Sequence, residues 1–299
     1  MPSALPFGAI LILIACNTLW ALNVVVSKVA VDDLALPPLF YAAIRSLLVV
    51  CALAPLLRKV PERLGLVLIV GLAISGGSFS LLFIGLQTAT PSAAGIVQLS
   101  GAPLSVLFAI LFLNEQVRWR RGLGIALTFA GVAIAIGSPA GLESGWGLGF
   151  VFASAVIGAL GAIFFKRLSI GAVEMQAWAG LASFVVLLPL SLVLENGQID
   201  AVAANPWPAI GCLLFAGLIV SIGAHSSYYR LLRRYDANLI VPFTLLTPLL
   251  TIAFGAWLTG DPIGIPLLAG AAIAVGGVAI IVLRPSRSMF KPLLVRPRL

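Results

Sequence analysis

The sequence predicts an all-α polytopic membrane protein of ten transmembrane helices, built as two five-helix repeats of inverted topology. Three observations lead to this prediction: an apolar composition, ten apolar runs of spanning length, and residues that recur at a near-constant offset. Of the 299 residues, 61% are hydrophobic and only 9% are charged, whereas roughly 25% are charged in a soluble domain. A soluble fold needs more polar surface than this chain can supply, so a soluble enzyme and a disordered chain are excluded.

Ten segments are long enough to cross a bilayer. A helix needs about 20 mostly apolar residues to cross a hydrocarbon core of about 30 Å. Membrane strands would instead show about ten residues of alternating polarity, and these runs are continuous. The predicted spans, numbered one to ten, are residues 7–30, 37–57, 64–87, 91–113, 122–138, 145–165, 176–195, 207–231, 237–258 and 262–283.

The basic residues indicate the orientation of the chain. All but Lys28 and Arg45 of the 18 lysines and arginines lie at or after the ends of even-numbered spans. The opposite loops carry acids and no base. Basic loops stay in the cytoplasm, so both termini are expected there. The net charge of +8 therefore reports membrane topology, and no nucleic-acid partner is expected.

The two halves of the chain share a set of residues at matching positions. An odd number of helices per copy means that the second copy enters the membrane from the opposite side, which gives an inverted repeat. We predict a first repeat at residues 1–138, a second at 139–284 and a basic cytoplasmic tail at 285–299. The matching pairs are Pro103 with Pro248, Glu115 with Asp261, Gly124 with Gly270, Gly131 with Gly277, and Val132 with Val278.

Polar side chains inside the spans predict a binding cavity. Inverted repeats are typical of transporters, whose site lies near the midplane between the halves. A polar group in hydrocarbon needs a partner or water, so it either packs against another helix or lines a cavity. Both roles are open for each residue. The substrate-binding candidates are Trp20, Asn23, Ser78, Gln98, His225, Tyr229, Phe243 and Thr247.

Two prolines near mid-membrane predict bending points. Proline removes a backbone hydrogen bond and disturbs the preceding turn, and the freed carbonyl needs another partner or a wet cavity. Pro103 and Pro248 are therefore candidate hinges, with Gly76 and Gly77 as softer points. A static kink that improves packing is the alternative.

Lys28 and Arg45 are predicted to be structural charges. Lys28 lies one turn before Asp32 and can pair with it or reach the membrane surface. Arg45 is deeper and needs a partner, for which Asp32, Asp33 or the carbonyls of span one are candidates. Contact with a substrate is the alternative for Arg45.

Several chemistries lack their residues in this sequence. No carboxylate lies mid-span, which favours facilitated over proton-coupled movement. There is no GxxxxGK[ST] motif for ATP and no HExxH or paired Cys/His metal spacing. The single histidine adjoins Ser226 in sequence, and adjacent helix residues point about 100° apart, which is unsuitable for a catalytic dyad. No enzymatic activity, cofactor or metal site is expected.

Three groups of residues resemble a known family. The sequence is similar to EamA-type members of the drug/metabolite transporter superfamily. The resemblance implies ten helices, a central cavity and export of small metabolites, often amino acids or toxic compounds, from the bacterial inner membrane. Two departures are the lack of a counterpart to Arg45 in span seven and an aspartate where glutamate is usual. The resembling groups are Trp20 to Lys28 with Pro37-Pro38 and Arg45; Leu113-Asn114-Glu115-Gln116 with Gly124 and Gly131-Val132; and Leu258-Thr259-Gly260-Asp261 with Gly270 and Gly277-Val278.

The expected function is export of small metabolites by alternating access. An aromatic, polar and uncharged cavity suits neutral or aromatic amino acids, and organic-cation toxins could meet its aromatic faces. Two alternatives remain open: a nucleotide-sugar or sugar-phosphate transporter of the same fold, and a membrane enzyme acting on lipid. The partners expected are a small-molecule substrate and the lipid bilayer; the sequence does not fix the oligomeric state, and a monomer is compatible with it.

Overall fold

The computed structural model describes residues 5–113, 119–235 and 237–283, and the regular structure of these residues is entirely helical. Ten of the helices have the length and hydropathy of membrane spans, as predicted. Glu115 and the tail at 285–299 lie outside the described residues. The spans are Phe7–Asp33, Pro38–Arg58, Leu64–Leu86, Pro91–Leu113, Trp119–Ile136, Gly147–Phe165, Ala172–Leu194, Pro206–Leu232, Val241–Thr259 and Ile265–Val282.

Some span boundaries differ from the prediction. Span seven begins at Ala172, one turn before the predicted start, because Gly171 is extended and ends the preceding loop there. Span one continues to Asp33 through a wide π-helical turn, Val29–Asp33. Two short helices, Pro139–Glu143 and Gln198–Ala204, lie in the loops after spans five and seven. The earlier start of span seven places Gln176 one turn inside the helix.

Four tryptophans lie exposed at span ends. Trp119 begins span five, Trp146 precedes span six, Trp207 is near the start of span eight and Trp257 is near the end of span nine. Tryptophan is enriched where the bilayer meets water, because its ring is apolar and its N–H can be hydrated. The exposed tryptophans therefore mark the two membrane surfaces and support the assignment as an integral membrane protein.

Spans five and ten pack closely through the glycines that the repeat analysis aligned. A Cβ atom on Gly124 would lie 2.7 Å from the carbonyl oxygen of Gly277, and one on Gly270 would lie 2.6 Å from that of Gly131. The contacts are reciprocal: the first glycine of one helix meets the second of the other, as a two-fold axis between inverted copies requires. Small residues let the two backbones touch.

Spans four and nine also pack together, but both are interrupted. Span four is broken at Leu99-Ser100, between helices Pro91–Gln98 and Gly101–Leu113. Span nine begins with a tight 3-10 turn, Val241–Leu245. Each irregular stretch ends shortly before Pro103 or Pro248, whose rings disturb the preceding turn. Helix Pro91–Gln98 packs against Leu246–Phe254 of span nine, whereas Gly101–Leu113 packs against span six.

A carboxylate joins spans four and nine at the side of the bundle where the loops carry acids and no base, which we call the acidic end. Asp261, 7% exposed, accepts a hydrogen bond from the Ser92 backbone N–H at 2.8 Å and one from the Thr259 hydroxyl at 2.6 Å. The Ser92 hydroxyl also contacts the Ile252 carbonyl at 3.4 Å. A carboxylate at a helix N-terminus satisfies free N–H groups and complements the helix dipole. This contact holds the two spans together at the acidic end.

A second carboxylate at the same end joins spans two and seven. Glu195 accepts hydrogen bonds from the backbone N–H groups of Leu39 at 2.8 Å and Phe40 at 3.0 Å. These are among the first N–H groups of span two, which have no partner inside the helix. At the acidic end, two carboxylates therefore each bind the N-terminus of another span.

Candidate functional site

Two neighbouring cavities, called here the central lobe and the second lobe, lie between the two halves in the middle of the bundle. The central lobe, of about 380 Å³, is lined by spans one, three, four, eight and nine. The second lobe, of about 230 Å³, is lined by spans two, three, six, seven and eight. Phe79 and His225 line both lobes, so these side chains lie between the two volumes. The central lobe alone falls within the usual range for small-molecule sites.

The second lobe extends to the basic end of the bundle. Its lining includes Phe165, the last residue of span six, and Ala172, the first of span seven. The loop between them carries Lys166 and Arg167. The opposite end is the one that Asp261 and Glu195 join. The cavity is therefore directed from mid-membrane toward the basic side.

Most predicted site residues line these lobes. Tyr229 lines the second lobe, and His225 lines both. Phe243 lines neither, and packs against an apolar cluster formed by spans one and eight. It belongs to the 3-10 turn Val241–Leu245, in which the following residue, Thr244, is the one that reaches the cavity. The central lobe contains six of the eight candidates: Trp20, Asn23, Ser78, Gln98, His225 and Thr247.

Trp20 and His225 form an aromatic wall. Their ring centroids are 5.2 Å apart, and Trp20 also meets Tyr228 edge-on at 5.0 Å. The Nδ1 atom of His225 lies 2.9 Å from the Val220 carbonyl oxygen, which can only accept, so Nδ1 carries a proton. The indole N–H of Trp20 is buried and has no hydrogen-bond partner among the described residues.

Polar groups at the central lobe are partly satisfied. Gln98 donates to the Ser154 hydroxyl at 3.1 Å, and Thr247 donates to the Asn17 amide oxygen at 2.7 Å. The amide oxygen of Asn23 is buried and unpartnered among the described residues. A buried polar atom without a partner costs about 1–3 kcal/mol. A ligand with a hydrogen-bond donor would offset that cost at Asn23.

Arg45 has different partners from those that the sequence indicated. Its Nε donates to the Ser221 hydroxyl at 3.0 Å and the Ala216 carbonyl at 3.3 Å, both in span eight. Its guanidinium carbon lies 3.6 Å from the centroid of the Phe79 ring. Lys28 with Asp32, at 2.7 Å, is the only ion pair in the described part of the chain. The second lobe therefore includes a cationic group that no described carboxylate neutralises, whereas no lysine, arginine, aspartate or glutamate is among the lining residues of the central lobe.

The shape of span eight explains these contacts. Residues Phe215–Ala224 form a wide π-helical stretch, in which carbonyls lose their usual partners four residues on. The Ala216 carbonyl accepts from the Ser221 hydroxyl at 2.6 Å as well as from Arg45. A Cβ on Gly217 would lie 2.9 Å from the Leu48 side chain, so this glycine lets span two approach.

The candidate hinge residues occupy different environments. Pro248 lines the central lobe, and Pro103 is buried in the second half of span four. Gly76 and Gly77 end the wide turn Ala73–Gly77 of span three. A Cβ on Gly76 would lie 2.7 Å from the Ser183 hydroxyl oxygen, so Gly76 is a point of close contact with span seven.

Gln176 lines the second lobe and was not among the predicted residues. Its amide nitrogen donates to the Ser221 carbonyl, and its amide oxygen is buried without a partner among the described residues. The predicted span seven began at residue 176, which placed this side chain at the membrane surface. The helix begins at Ala172, so Gln176 lies one turn inside.

Comparison with known proteins identifies the family. The model of the EamA-like transporter family matches residues 6–137 and again residues 145–283. The chain is similar to a "Probable amino-acid metabolite efflux pump" of Salmonella typhimurium strain LT2, with 28% identity over 87% of this chain and 90% of the relative. A protein of the same description from Escherichia coli K12 is 26% identical over 86% of this chain and 89% of that one.

Two further matches extend the comparison. A "Probable terminal-alkyne amino-acid exporter" of Streptantibioticus cattleyicolor is 29% identical over 64% of each chain. A solved structure titled "Crystal structure of protein" shares the fold, with a TM-score of 0.55 and 22% identity over 91% of this chain and 96% of that chain. The family model covers nearly the whole chain in two copies, and the chain belongs to the EamA-like transporter family.

Proposed function

We propose that this protein exports aromatic or other neutral amino acids by alternating access around the two-lobed cavity. The observation that supports this most directly is a cavity at mid-membrane, lined from both halves, whose walls combine aromatic rings with unpartnered polar atoms. Relatives named as amino-acid metabolite efflux pumps support the substrate class. The same names support export rather than uptake.

The orientation is part of the proposal. Basic residues lie at or after the ends of the even-numbered spans, and the positive-inside rule assigns this side to the cytoplasm. The second lobe reaches that side, so this conformation would admit substrate from the cytoplasm. The protein would then export it across a bacterial inner membrane. Both termini would then be cytoplasmic, and Asp261 and Glu195 would close the outer side.

The charge of Arg45 restricts the class of substrate that the cavity can bind. An organic cation would meet the unneutralised guanidinium of Arg45, and like charges in a cavity of low dielectric repel strongly. A sugar phosphate or nucleotide sugar carries two negative charges, whereas Arg45 is the only lysine or arginine among the described residues that line either lobe. A zwitterionic amino acid brings one carboxylate and one ammonium, which fits one base and several neutral acceptors.

Counterflow in proteoliposomes tests this function. Purified protein is reconstituted, loaded with an unlabelled compound, and assayed for uptake of labelled amino acids, a sugar phosphate and a quaternary amine. We expect counterflow with neutral amino acids only. Gln98→Leu removes a cavity amide and should reduce the rate, whereas Gln87→Leu, at the exposed acidic end, should not. Counterflow with the sugar phosphate or the amine alone would contradict the proposal.

A further inference from the structure

We propose that Arg45 and Gln176 form the subsite that binds the head group of an α-amino acid, with the guanidinium on the carboxylate and the Gln176 amide oxygen on the ammonium. This inference rests on the proposed function and names the residues that would select its substrate. It also assigns a binding role to Arg45, for which the sequence had favoured a structural one.

Arg45 has donors to spare. A guanidinium has five N–H groups, and both hydrogen bonds to described residues use Nε. The terminal nitrogens carry the other four N–H groups, and Arg45 lines the second lobe. Two parallel N–H groups match the two oxygens of a carboxylate. An unneutralised buried cation is costly, so a bound carboxylate would offset much of that cost.

The guanidinium is held in one orientation. Its central carbon lies over the Phe79 ring, 3.6 Å from the ring centroid, and its Nε donates to the Ser221 hydroxyl and the Ala216 carbonyl. A group that is already oriented loses little entropy when it binds, which raises affinity. Lysine at this position would keep the charge but lose both the planar fork and the stacking.

Gln176 offers the complementary acceptor. Its amide nitrogen faces the Ser221 carbonyl, an acceptor, so the nitrogen and oxygen of the amide are assigned by this contact. The amide oxygen is left buried and without a partner among the described residues, on a side chain that lines the same lobe as Arg45. An ammonium supplies the donor that this oxygen lacks.

Ser221 brings the two groups together. Its hydroxyl accepts from Arg45, and its backbone carbonyl accepts from Gln176. An α-amino acid carries its carboxylate and ammonium on neighbouring bonds of a single carbon, so it needs a donor and an acceptor a few ångströms apart. One residue that binds both side chains fixes such a spacing.

The side chain of the substrate would occupy the central lobe. Phe79 and His225 line both lobes, and Trp20 meets His225 at 5.2 Å. An apolar or aromatic side chain attached to a head group at Arg45 would extend past these rings. The charged head and the neutral side chain of the substrate are therefore recognised in separate lobes.

The test compares three compounds with the same ring: phenylalanine, phenethylamine, which lacks the carboxylate, and phenylpropionate, which lacks the ammonium. Each unlabelled compound competes with labelled phenylalanine in counterflow by proteoliposomes of the full chain. In the unaltered protein we expect phenylalanine to compete about tenfold better than either analogue, because each analogue leaves one charged or polar group unpaired.

The variants should remove these preferences one at a time. Arg45→Lys should raise the half-saturating phenylalanine concentration about tenfold, and Arg45→Met should abolish the preference over phenethylamine while retaining that over phenylpropionate. Gln176→Leu should do the reverse. Arg120→Met and Gln87→Leu, at the two ends of the bundle outside both lobes, are controls and should leave every preference unchanged.

Three outcomes would overturn the subsite. In the first, folded Arg45→Lys and Arg45→Met keep the preferences of the unaltered protein. In the second, Gln176→Leu keeps its preference over phenylpropionate; this variant decides the matter if the Arg45 variants fail to fold. In the third, the unaltered protein exchanges amino acids, but all three compounds compete equally well with labelled phenylalanine. If the unaltered protein exchanges no amino acid at all, the proposed function is wrong together with the subsite.

Discussion

Spans five and ten differ from spans four and nine, although each pair contains matching helices of the two halves. Spans five and ten are uninterrupted helices whose glycine backbones touch, as at Gly124 and Gly277. Spans four and nine pack together through the first half of span four, Pro91–Gln98, and are irregular near their prolines. The cavity lies beside the second pair, and none of its lining residues comes from the first.

The difference indicates which contacts are suited to movement. Backbone-to-backbone packing of glycines is tight and has no alternative arrangement at low cost. A helix interrupted before a proline already lacks part of its hydrogen bonding and bends more easily. We therefore expect spans five and ten to act as a fixed axis, and spans four and nine to change position between states.

The largest effect should come from filling the glycine contact. Gly277→Leu places a side chain where the Thr128 backbone nitrogen would lie 2.5 Å from its Cβ, so the helices must separate, at a cost of about 3 kcal/mol or more. We expect little folded protein in detergent, measured by size-exclusion chromatography and thermal unfolding. Gly276→Leu is the control, because nothing lies within 4 Å of a Cβ there. Equal stability of the two variants would contradict the role of a fixed axis.

The next largest effect should be on transport rather than folding. Replacing Pro103 and Pro248 together with alanine restores two backbone donors and removes the ring clashes, so both helices become straighter and stiffer. We expect counterflow to slow several-fold while membrane insertion and the elution profile are retained. Unchanged counterflow rates in the double variant would exclude both prolines as hinges.

A smaller effect is expected at the acidic end. Asp261→Asn weakens the charge-assisted hydrogen bond to the Ser92 N–H by about 1 kcal/mol, which changes a two-state ratio about fivefold. A cysteine introduced by Thr247→Cys in the central lobe should therefore react faster with an impermeant thiol reagent from the outside when Asp261→Asn is present than when Asp261 is kept. Asp200→Asn, an exposed carboxylate at the same end, is the control. If both substitutions alter the labelling equally, Asp261 does not hold this end closed.

The smallest effect is expected for Lys28→Gln. The ion pair with Asp32, at 2.7 Å, is partly exposed, because the Asp32 side chain is 44% exposed. Exposed ion pairs contribute about 0–1 kcal/mol to stability. Counterflow and thermal unfolding should therefore stay close to those of the unaltered protein. A loss as large as that from Arg45→Met would show that Lys28 has a role beyond this pair.

Much of the fold could be predicted from the sequence because the bilayer imposes a simple rule. Long apolar runs had to be spans, and the glycines that match between the two halves lie where spans five and ten touch. Trp20 and Asn23 could be predicted as cavity residues because both are polar or amphipathic groups in the middle of an apolar run. Both line the central lobe.

The rest depends on geometry that the sequence does not carry. The partners of Arg45 arise from the π-helical stretch Phe215–Ala224, which reads as an ordinary apolar run of small and branched residues. Gln176 was missed because an error of one turn at the start of span seven placed it at the membrane surface. Phe243 was included because it lies beside the threonines of span nine in the sequence, but in the 3-10 turn there it is Thr244 that lines the central lobe.

Distances between spin labels test the central claim most directly. In a variant without native cysteines, one pair of labels at Leu111 and Arg230 reports on the basic ends of spans four and eight, and another at Leu123 and Ile280 reports on spans five and ten. The distances are measured by double electron–electron resonance in nanodiscs, with and without saturating phenylalanine. We predict that phenylalanine adds a shorter distance for the first pair and leaves the second unchanged. A first pair whose distances stay the same in a transporting protein, or a second pair that moves equally, would contradict the account.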